Sequence, residues 1–175
     1  MTPKPVLPRL HQPRKGWSII EHLNDAQRAL RDTNNYTNTI FHRRHKDRLR
    51  AGSIITVTTW TNANKEAISS FSGVLLGVRR RGVDTAFRVR NIVNRVGIEM
   101  QYKVLSPMLK DIKIVKRAEK GQAKSGSGVR AIRQANAYFL RERPELLRNL
   151  AGALKADRVA VGKQKAAAAA EALRR

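Results

Sequence analysis

Arg79, Arg80 and Arg81 stand in a row ahead of Gly82, and Arg88 and Arg90 follow at a spacing of two. A guanidinium stays protonated at any ordinary pH, so it is no base or nucleophile; its planar donors pair with two oxygens of a phosphate or carboxylate. The neighbours say how these groups are held. Val74, Leu76 and Val78 recur every second residue before the row, and Phe87 and Val89 resume the alternation after it, with Arg88 and Arg90 interleaved. That period sends one set of side chains to a core and the other outward. The row therefore reads as the turn between two strands, the second of which presents arginine on its outer side. On that second strand Arg88 and Arg90 lie close together with no acid between them; they repel one another, and a polyanion relieves the repulsion. No nucleotide fingerprint, catalytic elbow or metal signature lies between Gly73 and Met100, so the stretch reads as a surface for nucleic-acid phosphate.

The whole chain leans the same way. Its 175 residues carry 36 Lys and Arg against 13 Asp and Glu, a formal charge of +23. Self-repulsion of that size opposes compaction and is relieved by a polyanionic partner. Cysteine is absent, which excludes disulfides and thiolate metal sites. Aromatic residues make up only 5%, few for the stacking platforms of single-strand readers, so contact with RNA is expected mainly at backbone and shape. No apolar run reaches the length of a membrane span. His42 and His45 lie at helical i, i+3 spacing, but a structural metal site needs about four ligands, and a solvated or RNA-facing basic segment is the better reading of Phe41–Arg50. The acids and histidines are too scattered to nominate a catalytic cleft. Catalytic residues, metal and cofactor are all expected to be none.

The elements follow from periodicity and punctuation. Met1–Lys15 holds four prolines among basic residues and no acid, an extended basic arm. A helix is predicted from Ile19 to about Arg31, capped by Ser18 with Glu21 and carrying Ile19, Ile20, Leu23, Ala26 and Leu30 on a face expected to dock on the rest of the fold. Asp32–Asn38 reads as a loop. Strands are expected around Ile54–Thr59, Ala67–Val78, Asp84–Ile92, Ile98–Val104 and Ile112–Val115. In the fourth, Ile98, Met100, Tyr102 and Val104 are expected inward. Short strands with glycine kinks suggest a mainly β fold, a small SH3-like antiparallel barrel with flanking helices. Gly121–Gly128 is a Gly/Ser connection. Helices are predicted over Val129–Arg143 and, after Pro144, over Glu145 to about Arg158. The organisation is thus an arm, helix and connector over 1–50, the barrel over 51–118, and a basic helical extension over 119–175. Lys113, Lys116 and Arg117 around the last strand, with Arg130 and Arg133 on the following helix, join Arg88 as expected RNA contacts.

The segments RAGSIITVTTW, FSGVLLGVRRRGVDTAFRVRNI, GIEMQYKVLSPMLKDIKIVKR and RQANAYFLRER together resemble, in that order, the bacterial-type large-subunit ribosomal protein L19 family. The resemblance runs from about Ala51 to Arg143. It implies a structural ribosomal protein that binds large-subunit ribosomal RNA near the subunit interface, packs beside other large-subunit proteins and helps bridge to the small subunit. Carried onto this chain, the family's basic turn falls on Arg79, Arg80, Arg81 and Gly82, its strand arginine on Arg90, and its basic helix end on Arg141 and Arg143. Phe71-Ser72-Gly73-Val74 replaces the family's usual FEGV, and the connector Asp32–Arg50 and the Gly/Ser segment are longer than usual. Such extensions resemble mitochondrial versions, which implies the mitochondrial matrix, with a bacterial cytoplasm as the alternative. A freely exchanging RNA-binding translation or assembly factor is the other functional reading.

Overall fold

A computed structural model describes residues 17–119, 129–130, 132, 134–147, 152–159 and 161–162. The proline-rich arm, the Gly121–Gly128 connection, the alanine-rich end, Arg133 and the side chain of Arg130 lie outside the described residues. Five strands, β1 (Ile54–Trp60), β2 (Ile68–Arg79), β3 (Ala86–Val93), β4 (Val96–Lys103) and β5 (Leu109–Lys116), form one antiparallel sheet. Their order is β4-β3-β2-β1-β5. The chain is mainly β with flanking helices, as its alternation predicted. Asp84, expected at the head of β3, instead closes a 3-10 turn over Gly82–Asp84, and Thr85 Oγ1 donates to the Gly82 carbonyl at 2.7 Å to hold it. The β3–β4 connection is Asn94 and Arg95, with φ of 51° and 65°, between the paired residues Val93 and Val96. Two left-handed residues in succession make the primed turn whose twist suits a hairpin.

The sheet is buried on both faces at its centre. On one face Ile55, Val57, Leu75, Phe87, Val89 and Ile112 pack together; on the other Ala51, Ile54, Val74 and Leu76 lie under Ala137, Leu140 and Leu147. This corrects the simple inward–outward reading of β2, where Gly73 to Gly77 are all buried. The register of β2 against β3 shifts between Leu75 and Gly77, so a strand that looks regular in sequence feeds side chains to two cores. The connector also does more than a loop over Asp32–Asn38 followed by a solvated or RNA-facing basic segment over Phe41–Arg50 would do. Ile40, Phe41 and Leu49 enter the first core, the Phe41 ring stacking on Phe87 at 5.0 Å. Asp32 shapes the start of this connector by accepting the Tyr36 N–H at 2.8 Å and the Thr37 N–H at 2.7 Å.

Three expectations are overturned. Helix α1 (Trp17–Arg31) forms, but Ser18 lies inside it rather than capping it, and Ile19, Ile20, Leu23 and Leu30 are exposed, Leu23 by 58%. The helix instead meets the 3-10 turn with the side of Asn24, whose amide lies against Gly82. In β4, Ile98 and Met100 are exposed, because this is an edge strand and the first core reaches it only at Tyr102, 5.5 Å from Phe87. Finally, Val129–Arg143 is not a helix. Val129–Arg130 pairs with Ala118–Glu119 as a two-stranded parallel ribbon, and Tyr138–Arg141 and Pro144–Leu147 are single 3-10 turns. Tertiary docking has overridden helix propensity: the Ala137 N–H donates to the Leu76 carbonyl at 2.6 Å, and Ala137, Leu140 and Leu147 are buried on the sheet. Of the helix expected after Pro144, residues 144–147 form a 3-10 turn instead, and residues 152–159, named α2, are helical, with Ala153 and Leu154 packed at the margin of the second core.

Candidate nucleic-acid interface

The arginine row leaves the end of β2 and enters the 3-10 turn, which fixes its three backbone positions between a paired strand and a hydrogen-bonded loop. Gly82 opens the turn with φ of +54°, a conformation that favours glycine, and a Cβ there would come within 2.9 Å of the Asn24 amide and push it aside. Arg79, Arg80 and Arg81 are exposed residues, and among the described residues none of them is paired with a carboxylate. Arg80 is drawn back along the surface: its Nε donates to the Phe41 carbonyl at 2.6 Å. Its affinity for the proton falls below the usual guanidinium value, first through desolvation and then through repulsion by Arg48 and Arg43. Arg48 in turn donates to the Arg43 carbonyl. The connector therefore brings Arg43 and Arg48 to the turn, a clustering that the basic run Phe41–Arg50 hinted at but whose place beside Arg80 only the fold reveals.

Asp84 is the acid felt by this group. Its carboxyl lies below the usual range, chiefly through the hydrogen bond and charge of Lys103, with smaller help from Arg79 and Arg81. It forms its ion pair with Lys103, leaving the arginines without direct neutralisation. Arg88, on the neighbouring strand, meets a neutral partner: its Nε donates to Gln101 Oε1 at 2.9 Å.

Other expected contacts are occupied within the chain. Arg90 Nη1 donates to Glu99 Oε1 at 2.7 Å, and Arg141 donates to both oxygens of Glu99, from Nε at 2.8 Å and Nη2 at 2.9 Å. Arg90 Nη2 also reaches the Arg141 carbonyl. The Glu99 carboxyl is held low first by the Arg141 hydrogen bonds and then by Arg90, against an opposing desolvation effect; Arg141 is raised in return, first by Glu99. The acid missing from the local sequence around Arg88 and Arg90 thus arrives from the next strand. Lys113 pairs with Asp157 of α2 at 2.6 Å, and Arg117 with Asp47 at 3.5 Å. Lys116 and Arg143 have no carboxylate partner among the described residues. His42 and His45 each accept a backbone N–H two residues ahead through Nδ1, from Arg44 and Asp47, which gives both rings a role in shaping the connector.

Arg79, Arg80 and Arg81 thus stand with Arg43 and Arg48 at the turn, without carboxylate partners among the described residues, while Arg90, Arg141, Lys113 and Arg117 fasten chain to chain. Residues 32–148 match the family model described as ribosomal protein L19. The chain belongs to the ribosomal protein L19 family. The match spans the connector, the sheet and the C-terminal cover, the parts that build both cores and the arginine turn. L19 proteins are structural, non-enzymatic constituents of the large ribosomal subunit that act in translation. No helix among the described residues of this L19 chain is long and apolar enough to cross a membrane.

Proposed function

We propose that this L19-family chain binds large-subunit ribosomal RNA through the arginine turn and the adjoining connector. The observation that carries the reading is the gathering of Arg43 and Arg48 around Arg80, which is tied to the connector through the Phe41 carbonyl and whose charging they make costlier, with no carboxylate paired to any of the three among the described residues. Folding alone gives no return for such repulsion, whereas a phosphate backbone removes it and releases its own counterions on contact. Arg79, Arg81, Gly82 and Arg88 extend the same surface, and Lys116 and Arg143 add cations free of acid partners. Arg130 and Arg133 belong to the proposed contact on sequence grounds. Arg90, Arg141, Lys113 and Arg117 act first as internal ties, so their RNA contact is secondary.

Family membership supports the rest of the reading: we infer that the protein sits near the subunit interface, beside other large-subunit proteins, and contributes to a bridge with the small subunit. We read the strand order, with the last long strand β5 returning to pair with β1, as that of an SH3-like barrel left open between β4 and β5. The acid-free basic stretch Met1–Lys15 and the segments flanking the matched residues favour a mitochondrial ribosome. Sedimentation tests the reading: the protein should remain at one copy per large subunit after a high-salt wash, and ultraviolet crosslinks from ribosomal RNA should fall in peptides containing residues 41–50 and 79–88. Quantitative loss in the wash would favour an exchanging factor instead.

A further inference from the structure

Beside the arginine turn, the outer face of β2, β3 and β4 and the docked C-terminal cover enclose a cleft of about 270 Å³. Its chemistry differs from that of the rest of the basic surface. Arg79 and Arg88 supply two guanidiniums, Gln101 and Asn136 two amides, Tyr138 an aromatic ring, and Gly77 a bare floor; no acid lines it. A Cβ at Gly77 would overlap Asn136 Oδ1, so the absent side chain is what lets the Asn136 amide lie across the strand. Arg88 spends Nε on Gln101 Oε1, which orients both groups and leaves the Arg88 terminal nitrogens and the Gln101 NH2 as donors. The Arg141 guanidinium, fixed by Glu99, lies 4.7 Å from the centroid of the Tyr138 ring and steadies it, while Tyr138 remains 41% exposed.

Guanidiniums alone would fit any phosphate. Adding two amides, which offer both donors and acceptors, and one ring specifies a nucleobase as well. The volume lies just below the roughly 300–1,000 Å³ of sites for drug-sized ligands, enough for one nucleotide and too little for a run of stacked bases. A base within a duplex cannot enter; it must first leave the stack. We propose that this cleft receives a single everted nucleotide of RNA, its base against Tyr138 and within reach of Asn136 and Gln101, its phosphate between Arg79 and Arg88. The proposal rests on the RNA-binding reading above and refines it: a protein poor in aromatic residues reads backbone over most of its surface and one base at this point.

The test uses the full chain and two hairpin RNAs that differ by one bulged nucleotide. The bulged hairpin should bind at least about fivefold more tightly than the fully paired one, the lower end of what one base stacked on an aromatic side chain contributes. Tyr138→Phe should keep that ratio and Tyr138→Leu should bring it close to one. Because Tyr138→Leu also removes the Arg141 contact, a second measurement needs no variant: 4-thiouridine at the bulge, irradiated on the wild-type protein, should crosslink to the peptide carrying Asn136 and Tyr138. Equal binding of both hairpins, or crosslinks confined to residues 41–50 and 109–117, would overturn the cleft while leaving the RNA-binding surface standing. The cleft would then suit an acidic side chain of a neighbouring protein. Failure to bind either hairpin at low salt would sink the RNA-binding reading and this proposal with it.

Discussion

Replacing Glu99 by glutamine should loosen the C-terminal cover from the sheet while leaving the apolar contacts of both cores in place. Glu99 ties β3 to the cover through Arg90 and Arg141. Arg90 is the sensitive partner: its side chain is only 14% exposed, and its Nε is buried without a hydrogen-bond partner. Exposed ion pairs contribute up to about 1 kcal/mol, and stripping one partner from a fully buried pair costs about 3–5 kcal/mol. The Arg90–Glu99 pair lies between these limits, and glutamine keeps an acceptor oxygen, so a loss of about 2 kcal/mol is expected. For a chain of this size that lowers Tm by about 4–8 °C. The pH dependence gives a sharper check. The Glu99 carboxyl is held below its unfolded value, so its stabilisation is complete above the ordinary carboxylate range, near about 4.3, and fades as pH falls through the lowered folded value. Thermal melts of wild type and Glu99→Gln should therefore differ at pH 7 and converge in acid. Identical melts at pH 7, or a gap that persists undiminished at pH 2, would refute the assignment of Glu99 as the tie.

Phe41→Ala should lower stability by about 3–5 kcal/mol in chemical denaturation, since Phe41 is 1% exposed and stacked on Phe87; a loss under 1 kcal/mol would return the connector to the status of a surface loop. Leu23→Asp should leave the melting of the isolated chain within about 2 °C, the behaviour of a surface position, because that side chain faces solvent; a large drop would mean that the apolar stripe of α1 is packed after all. Gly73→Ala should destabilise by about 1–3 kcal/mol, since its Cβ would come within 2.5 Å of the Arg90 carbonyl oxygen on the paired strand; an unchanged urea midpoint would contradict that close approach.

The strands were legible because alternation, β-branching and turn residues all favoured the same local state, as in Ile54–Trp60. Position on a face was legible only where one face is buried. In β2 both faces are covered, and the second cover comes from Ala137 and Leu140, some sixty residues away in sequence and fastened by backbone bonding that no periodicity reports. The same docking hid the fate of Val129–Arg143, whose local preference for helix yields to contacts with β2. For α1 the apolar stripe was read correctly and its direction was not, because Asn24 rather than Leu23 meets the turn. Within the candidate interface the arginine row announced itself. Which cations stay free did not, since Glu99, Asp47 and Asp157 reach their partners across the fold, and Asn136 and Tyr138 join Arg88 and Gln101 only through tertiary structure.

The central claim, that the arginine turn and its connector grip ribosomal RNA by phosphate contact, is tested most directly by the salt dependence of binding. Full-length wild type and the triple variant Arg43→Ala/Arg79→Ala/Arg81→Ala should be titrated with large-subunit RNA fragments over a range of salt, with circular dichroism confirming the fold. Arg80 is left in place because it also holds the Phe41 carbonyl. Each lost phosphate contact should reduce the slope of log affinity against log salt by about 0.7–0.9, so the folded triple variant should bind more weakly, with a slope shallower by about two to three units. A folded triple variant that binds with the wild-type slope would contradict the account.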